Sequence, residues 1–180
     1  MNTPFNNQEP QKILIAGIGN IFFGDDAFGV EVVRALAGRN LPEGVVVKDF
    51  GIRGFDLACA LVEDYDTYLL VDAISRGAPP GTLFVIEPEL NKSAPPAAEF
   101  EAHSLNPMKV LELAQTFGAA LNNVLLIGCE PAFLGSEDEG AMGLSEPVAA
   151  AVTEAVRLIE SLIAKTLTEP CGTKAAQSTR

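Results

Sequence analysis

The sequence predicts an α/β protein, a three-layer α/β/α sandwich built on a five-stranded, mostly parallel, twisted sheet with one antiparallel strand. Short β-branched apolar runs alternate with helix-like segments along the 180 residues, in the order β-α-β-α-β-β-α-β-α. The first run is apolar, which is typical of a strand covered on both faces, and the third is apolar nearly throughout. The third and fourth strands are joined by too few residues for a crossover helix, so the fourth strand is antiparallel or lies at an edge.

The elements follow from apolar runs and from the residues that break them. Asn106 and Pro107 suit a helix start, as cap and first-turn residue, and Gly38 and Gly118 suit helix ends. The predicted strands cover about 12–17, 45–49, 67–72, 82–86 and 123–128, and the predicted helices about 26–38, 55–63, 107–117 and 144–166. We expect a single domain over residues 1–180, with a core at about 12–166 and loose tails at 1–10 and 168–180.

Composition and charge exclude several classes of partner. No apolar run approaches the roughly 20 residues of a membrane span, and the N-terminus lacks the basic and apolar regions of a signal peptide. We therefore expect a cytoplasmic protein without a membrane partner. The net charge of −12 argues against nucleic acid, whose phosphates need clustered Lys and Arg. A basic or metal-bearing partner would be attracted instead.

The three cysteines indicate free thiols. Cys59, Cys129 and Cys171 are an odd number and form no C-x-x-C pair, which fits a reducing compartment better than disulfides. Because Cys59 and Cys129 lie in apolar runs, we expect both in the core.

The first strand leads into a glycine turn and two adjacent acids. Gly17-x-Gly19 lacks the third glycine of a dinucleotide fingerprint, and no Lys-[Ser/Thr] follows as in a P-loop. Asp25 and Asp26 fall at the expected helix start, where they would repel a pyrophosphate. A nucleotide site is therefore the disfavoured alternative. The two acids either cap the helix or bind a ligand in the strand-to-helix crevice.

Two further residues are candidates for the same edge of the sheet. Asp72 ends the third strand and would lie beside Asp26 if strands one and three are parallel, although a local Asx turn is the alternative. His103 is the only histidine and follows a long irregular loop at 87–102; an incidental loop residue is the alternative. Carboxylates and one imidazole would suit a weak metal site with open coordination positions.

The stretch GIGNIFFGDDAFG at residues 17–29 resembles the signature of the nickel–iron hydrogenase maturation endopeptidases. In that family a G-x-G-N turn is followed by a D-[DE]-x-x-G helix start. The resemblance continues at 71–73, 102–104 and 128–131 and covers roughly residues 12–165. This chain has Asp26 where some members have Glu, and Ala27 where many have Gly.

The resemblance implies an endopeptidase that removes a short C-terminal extension from the precursor of a nickel–iron hydrogenase large subunit after nickel insertion. Carried over singly, the catalytic and metal-contacting positions are Asp26, Asp72 and His103. The expected support for the turn and the substrate comes from Gly19, Asn20, Asp25, Gly51 and Gly54. The nickel would be supplied by the substrate and absent from the isolated enzyme. Whether it marks the precursor, positions the scissile bond or polarises a carbonyl or water stays open.

Within this interpretation the two acids divide their roles: we expect Asp25 to cap and orient the helix and Asp26 to contact the metal. The alternative function is a non-catalytic module that binds a metal centre or protein tail on the same fold. The presence of Asp26, Asp72 and His103 together disfavours it. We expect a monomer, because no exposed heptad or long apolar edge requires a dimer. The acidic stretches 87–102 and 129–143 are expected to be solvated loops or to help dock the precursor.

Overall fold

A computed structural model of the chain describes residues 10–90, 106–135 and 140–168. The strands are β1 (Ile13–Ile18), β2 (Val45–Gly51), β3 (Thr67–Ala73), β4 (Leu83–Ile86) and β5 (Val124–Cys129). The helices are α1 (Phe28–Ala37), α2 (Gly54–Ala60), α3 (Pro107–Thr116) and α4 (Glu146–Thr168). The predicted fold class and element order are confirmed. The predicted first helix differs in its first turn, because Asp25–Ala27 form a 3-10 turn before α1 begins.

The strands form one sheet in the order β2-β1-β3-β5-β4. The pairs β1–β2, β1–β3 and β3–β5 are parallel, whereas β4 is antiparallel to β5. As expected from its short connection, β4 is both the antiparallel strand and an edge strand. The carboxyl ends of the four parallel strands therefore meet at one edge of the sheet, where ligands bind in open α/β folds.

Each face of the sheet has its own apolar core. Ile13 and Ile15 of β1 face α1 and α4, whereas Leu14, Ala16 and Ile18 face α2 and α3. This burial on both faces explains why the sequence of β1 is continuously apolar. Further side chains of the first core include Phe28, Val32, Leu36, Val71, Val148 and Ile159, and of the second core Leu57, Leu61, Leu70, Val110 and Leu111.

One expectation about a helix face is wrong. Cys59 is exposed, because α2 buries Leu57 and Ala58 and turns the next side chain away from the sheet. Cys129 is buried in the first core, as expected.

The close approach of α1 to the sheet places the functional edge. A Cβ atom built on Gly29 would lie 2.0 Å from the Val71 carbonyl oxygen and 2.3 Å from that of Ile18. Only glycine lets the first turn of α1 lie directly on β1 and β3. The 3-10 turn that carries Asp25 and Asp26 is thereby held against the end of β3.

Several sequence predictions fall on residues 1–9, 91–105, 136–139 and 169–180, which lie outside the described residues. They concern His103, Cys171, most of both predicted tails and part of each acidic stretch. The single-domain organisation stays a prediction. Within the described ranges, no helix is both long and apolar enough to cross a membrane.

Candidate active site

The turn after β1 is built around Gly19 and Asn20. Gly19 adopts φ 130°, and its N–H donates to the Gly51 carbonyl oxygen over 3.1 Å, which joins the ends of β1 and β2. The Asn20 N–H donates to Asp26 Oδ2 over 2.6 Å. Gly54 is the buried first residue of α2. Gly19 and Asn20 thus contact Asp26. The support of the turn and of a substrate by Gly19, Asn20, Gly51 and Gly54 stays a prediction.

Asp26 and Asp72 come together at the carboxyl edge of the sheet, as the sequence predicts. Asp72 lies near the end of β3 and is buried, and its Oδ1 accepts the N–H of Ala73 over 2.9 Å. Burial raises the pKa of Asp72 well above its ordinary value, and the nearby charge of Asp26 raises it further. Burial also raises the pKa of half-buried Asp26, although the hydrogen bond from the Asn20 N–H lowers it in part. The two carboxylates therefore repel each other in a desolvated place.

Such a pair favours a positive charge between or beside the two groups. It can retain a proton and act as an acid–base pair, or it can supply oxygen ligands to a cation. Among the described residues, no three His, Cys, Asp or Glu side chains are grouped so that they could hold a metal ion. His103, the third predicted member, lies outside the described residues.

Of the two roles predicted for Asp25, the structure contradicts the helix cap, and the orienting role stays a prediction. Its buried carboxylate accepts four hydrogen bonds from the described residues: Oδ2 accepts from Ala132 N at 2.8 Å, Phe133 N at 3.0 Å and Ser145 Oγ at 2.9 Å, and Oδ1 accepts from Ser145 N at 2.6 Å. Burial alone would raise the pKa of Asp25, but the hydrogen bonds from Ser145, Phe133 and Ala132 outweigh it and lower the pKa.

The expectation that Asp25 caps its own helix is therefore wrong. Gly24 precedes the 3-10 turn, and no side chain caps that turn. The Asp25 carboxylate instead faces the start of α4, since Ser145 directly precedes Glu146. A negative charge is favourable there because it meets the positive end of the helix dipole. Asp25 thus ties the first helix start to the segment between β5 and α4.

Glu130 is a buried carboxylate within the resemblance at 128–131, but it was not among the predicted site residues. It follows β5 directly, and its side chain accepts the N–H groups of Arg76 at 2.7 Å and Gly77 at 3.1 Å. Burial would raise its pKa, but these hydrogen bonds and the charge of Arg76 lower it. Glu130 therefore fixes the loop between β3 and β4 next to Asp72. An acid directly after a buried strand, the signal that identified Asp72, could have identified it.

The protein family of the chain follows from its similarity to known families. The family model of hydrogenase maturation proteases matches residues 30–162, most of the chain. The chain belongs to this family. The chain is accordingly a peptidase. This favours the endopeptidase interpretation over the non-catalytic binding module.

Individual members of the hydrogenase maturation protease family resemble the chain over most of its length. It is 38% identical over 160 residues to a putative hydrogenase maturation protease of Methanocaldococcus jannaschii, covering 86% of this chain and 98% of that one. It is 34% identical to the hydrogenase expression/formation protein HupD of Rhizobium leguminosarum bv. viciae, covering 88% and 79%. The hydrogenase maturating endopeptidase HybD from E. coli superposes with a TM-score of 0.68 at 26% identity, covering 87% and 94%.

Proposed function

We propose that this peptidase removes the C-terminal extension from the nickel-loaded precursor of a nickel–iron hydrogenase large subunit, with Asp26, Asp72 and His103 contacting the precursor's nickel. The observation that carries the proposal is the pair of desolvated carboxylates, Asp26 and Asp72, at the carboxyl edge of the sheet of a hydrogenase maturation protease. We further propose a monomeric cytoplasmic enzyme that requires neither nucleic acid nor membrane.

The geometry supports a metal that arrives with the substrate. Asp26 is oriented by the Asn20 N–H and Asp72 by the Ala73 N–H, so both carboxylates are positioned before a partner binds. A cation at this place would relieve the repulsion between them. Two carboxylates and one imidazole without a thiolate hold a free ion weakly, and the precursor's own nickel ligands would complete the coordination.

Dependence on the substrate's metal would make cleavage a checkpoint. An unloaded precursor would bring no cation to Asp26 and Asp72, and its scissile bond would not be held at the edge of the sheet. The nickel could mark the precursor, position the bond or polarise a carbonyl or water as a Lewis acid. All three roles require the same two carboxylates.

The test compares nickel-loaded and nickel-free precursor with the same enzyme preparation. Mass spectrometry of the large subunit measures the loss of the extension. We expect shortening of the loaded precursor alone. Equal cleavage of both would contradict the use of nickel, and cleavage of neither would contradict the proposed substrate.

A further inference from the structure

Glu130 holds the connection between β3 and β4 with both its side chain and its backbone. Its buried carboxylate accepts the N–H of Arg76 at 2.7 Å and that of Gly77 at 3.1 Å. Its own N–H donates to the Thr82 carbonyl oxygen over 2.9 Å, and its carbonyl oxygen accepts the Gly81 N–H over 2.8 Å. A single residue therefore anchors both the beginning and the end of this connection.

The anchored connection begins directly after Asp72. Asp72 pairs with Gly128 in the parallel ladder of β3 and β5. Ala73 pairs with Cys129, and the Ile74 N–H donates to the Cys129 carbonyl oxygen over 2.9 Å. The Ala73 N–H, which the Asp72 carboxylate accepts, thus lies between the last pairs of the ladder and the anchored connection.

A packing contact fixes the same connection from a second side. A Cβ atom built on Gly128 would lie 2.6 Å from Cδ1 and 3.1 Å from Cγ1 of Ile74, so the Ile74 side chain fills the space that a side chain at 128 would need. Asp72 and Ile74 are two residues apart and therefore face the same side of the sheet. Movement of the connection would displace Ile74 on the face that also carries the Asp72 carboxylate.

We infer that Glu130 is a positioning residue for cleavage, since it anchors the connection that keeps the Asp72 carboxylate in place at the edge of the sheet. Glu130 acts through Asp72 and needs no contact with the substrate. The inference rests on the proposed function for the part that Asp72 takes in cleavage. Because a misplacement of about 1 Å can lower a rate about 100-fold, a loosened anchor should lower turnover measurably. A purely structural Glu130 would affect stability and leave turnover unchanged.

The first experiment compares Glu130→Gln with Arg76→Ala. Glutamine has a similar size but only one acceptor oxygen for the two N–H groups. Arg76→Ala keeps the backbone N–H that Glu130 accepts and removes the guanidinium, which lies 5.4 Å from the centre of the Phe84 ring. In steady-state cleavage of the nickel-loaded precursor, we expect Glu130→Gln to lower kcat about tenfold and to change KM less than about twofold. Arg76→Ala should keep both constants, and an equal loss of kcat in that variant would assign the effect to the guanidinium and overturn the inference.

Two further variants separate positioning from loss of stability. Ile163 is buried in the first core, about 25 Å along α4 from the start of that helix. Ile163→Val should lower the thermal midpoint by about 2–4 °C and keep the kcat of the wild type. Glu130→Asp keeps the charge and both acceptor oxygens at a shorter reach, so it should fold and give a kcat between those of the wild type and Glu130→Gln. A wild-type kcat in folded Glu130→Gln and Glu130→Asp, or an equal fall of kcat in Ile163→Val, would overturn the inference.

Amide hydrogen exchange tests the same inference without substrate. Glu130→Gln should exchange the N–H groups of Ala73 and Ile74 about tenfold faster than Ile163→Val does, because the end of β3 opens more often without its anchor. A lowered kcat with unchanged exchange at these two residues would show that Glu130 does not act through the end of β3 and would overturn the inference. Wild-type enzyme that does not cut the precursor would overturn the proposed function, and the exchange rates would still decide whether Glu130 holds the backbone beside Asp72.

Discussion

The carboxylate of Asp25 accepts the backbone N–H of Ser145 over 2.6 Å and the Ser145 hydroxyl over 2.9 Å, across 120 residues of sequence. These two hydrogen bonds connect the start of the first helical segment with the start of α4. Because Asp26 follows Asp25 directly, the same contact fixes one of the two site carboxylates relative to the rest of the fold. The pair therefore links stability to the geometry of the site.

Asp25→Asn should destabilise the protein by about 3 kcal/mol, because buried donors lose a charged acceptor. Ser145→Ala, which removes only the hydroxyl, should cost about 1 kcal/mol. Urea unfolding of both single variants and the double variant measures these values and their coupling. Exposed Ser75→Ala is the matched control and should unfold like the wild type. Strictly additive effects would show that Asp25 and Ser145 do not interact.

Glu130 should contribute stability that disappears in acid. Its pKa is lowered in the folded state from an ordinary value of 4.5, so its contribution is complete above pH 4.5 and is lost as the pH falls through the folded-state pKa. The difference in unfolding free energy between wild type and Glu130→Gln should therefore be largest near neutral pH and narrow below about pH 4. Urea unfolding across this range measures it, with exposed Glu154→Gln as control. A difference in unfolding free energy that widens in acid would contradict the lowered pKa of Glu130.

Asp72→Asn should stabilise the protein while it abolishes processing. The pKa of Asp72 is raised, so the charged form costs folding free energy at a pH above the folded-state pKa, and this cost falls as the pH approaches the ordinary value of 3.8. Removing the charge should therefore raise the free energy of unfolding at neutral pH. Urea unfolding and precursor cleavage are measured on one preparation. Exposed Asp64→Asn should change neither, and a destabilised Asp72→Asn would contradict the desolvation argument.

His103→Ala should abolish processing and leave the unfolding free energy close to that of the wild type. The reason is the family resemblance, which implies that His103 is the third metal-contacting residue. Cleavage of the nickel-loaded precursor and urea unfolding test the two parts separately. Full activity of the variant would remove His103 from the site and leave Asp26 and Asp72 as its only proposed members.

The fold could be predicted almost completely, because continuous apolar runs identify strands covered on both faces and a short connection identifies the antiparallel edge strand β4. The buried side of a short helix was harder to predict. Cys59 lies in an apolar run but is exposed, since α2 has only seven residues and too little periodicity to show which side meets the sheet.

The site could be predicted in part. Asp26 and Asp72 follow from parallel strands that end at one edge. The separate role of Asp25 could not be predicted, because its partners Ala132, Phe133 and Ser145 lie 107 to 120 residues away and donate mainly backbone N–H groups, which every residue type offers.

Gly19→Ala should abolish processing through the backbone alone. Gly19 adopts φ 130°, and a Cβ atom there would lie 1.7 Å from the carbonyl oxygen of Asp26. That oxygen belongs to the backbone of the 3-10 turn, so the turn itself would have to move and would carry the Asp26 carboxylate away from Asp72. Gly118→Ala is the matched control: Gly118 also has a positive φ, at 94°, but open space around its Cβ position.

The control separates conformational strain from steric displacement. Gly118→Ala should cost about 1 kcal/mol or slightly more, for a left-handed conformation that alanine adopts poorly, and should process the precursor normally. Gly19→Ala should cost more than Gly118→Ala, because it adds a clash to the same strain, and should lose cleavage even under conditions where it remains folded. Urea unfolding compares the stabilities of the two variants, and precursor cleavage compares their activities. Normal processing by folded Gly19→Ala would mean that the turn tolerates displacement, and the close packing of Gly19 against Asp26 would then not be required for activity.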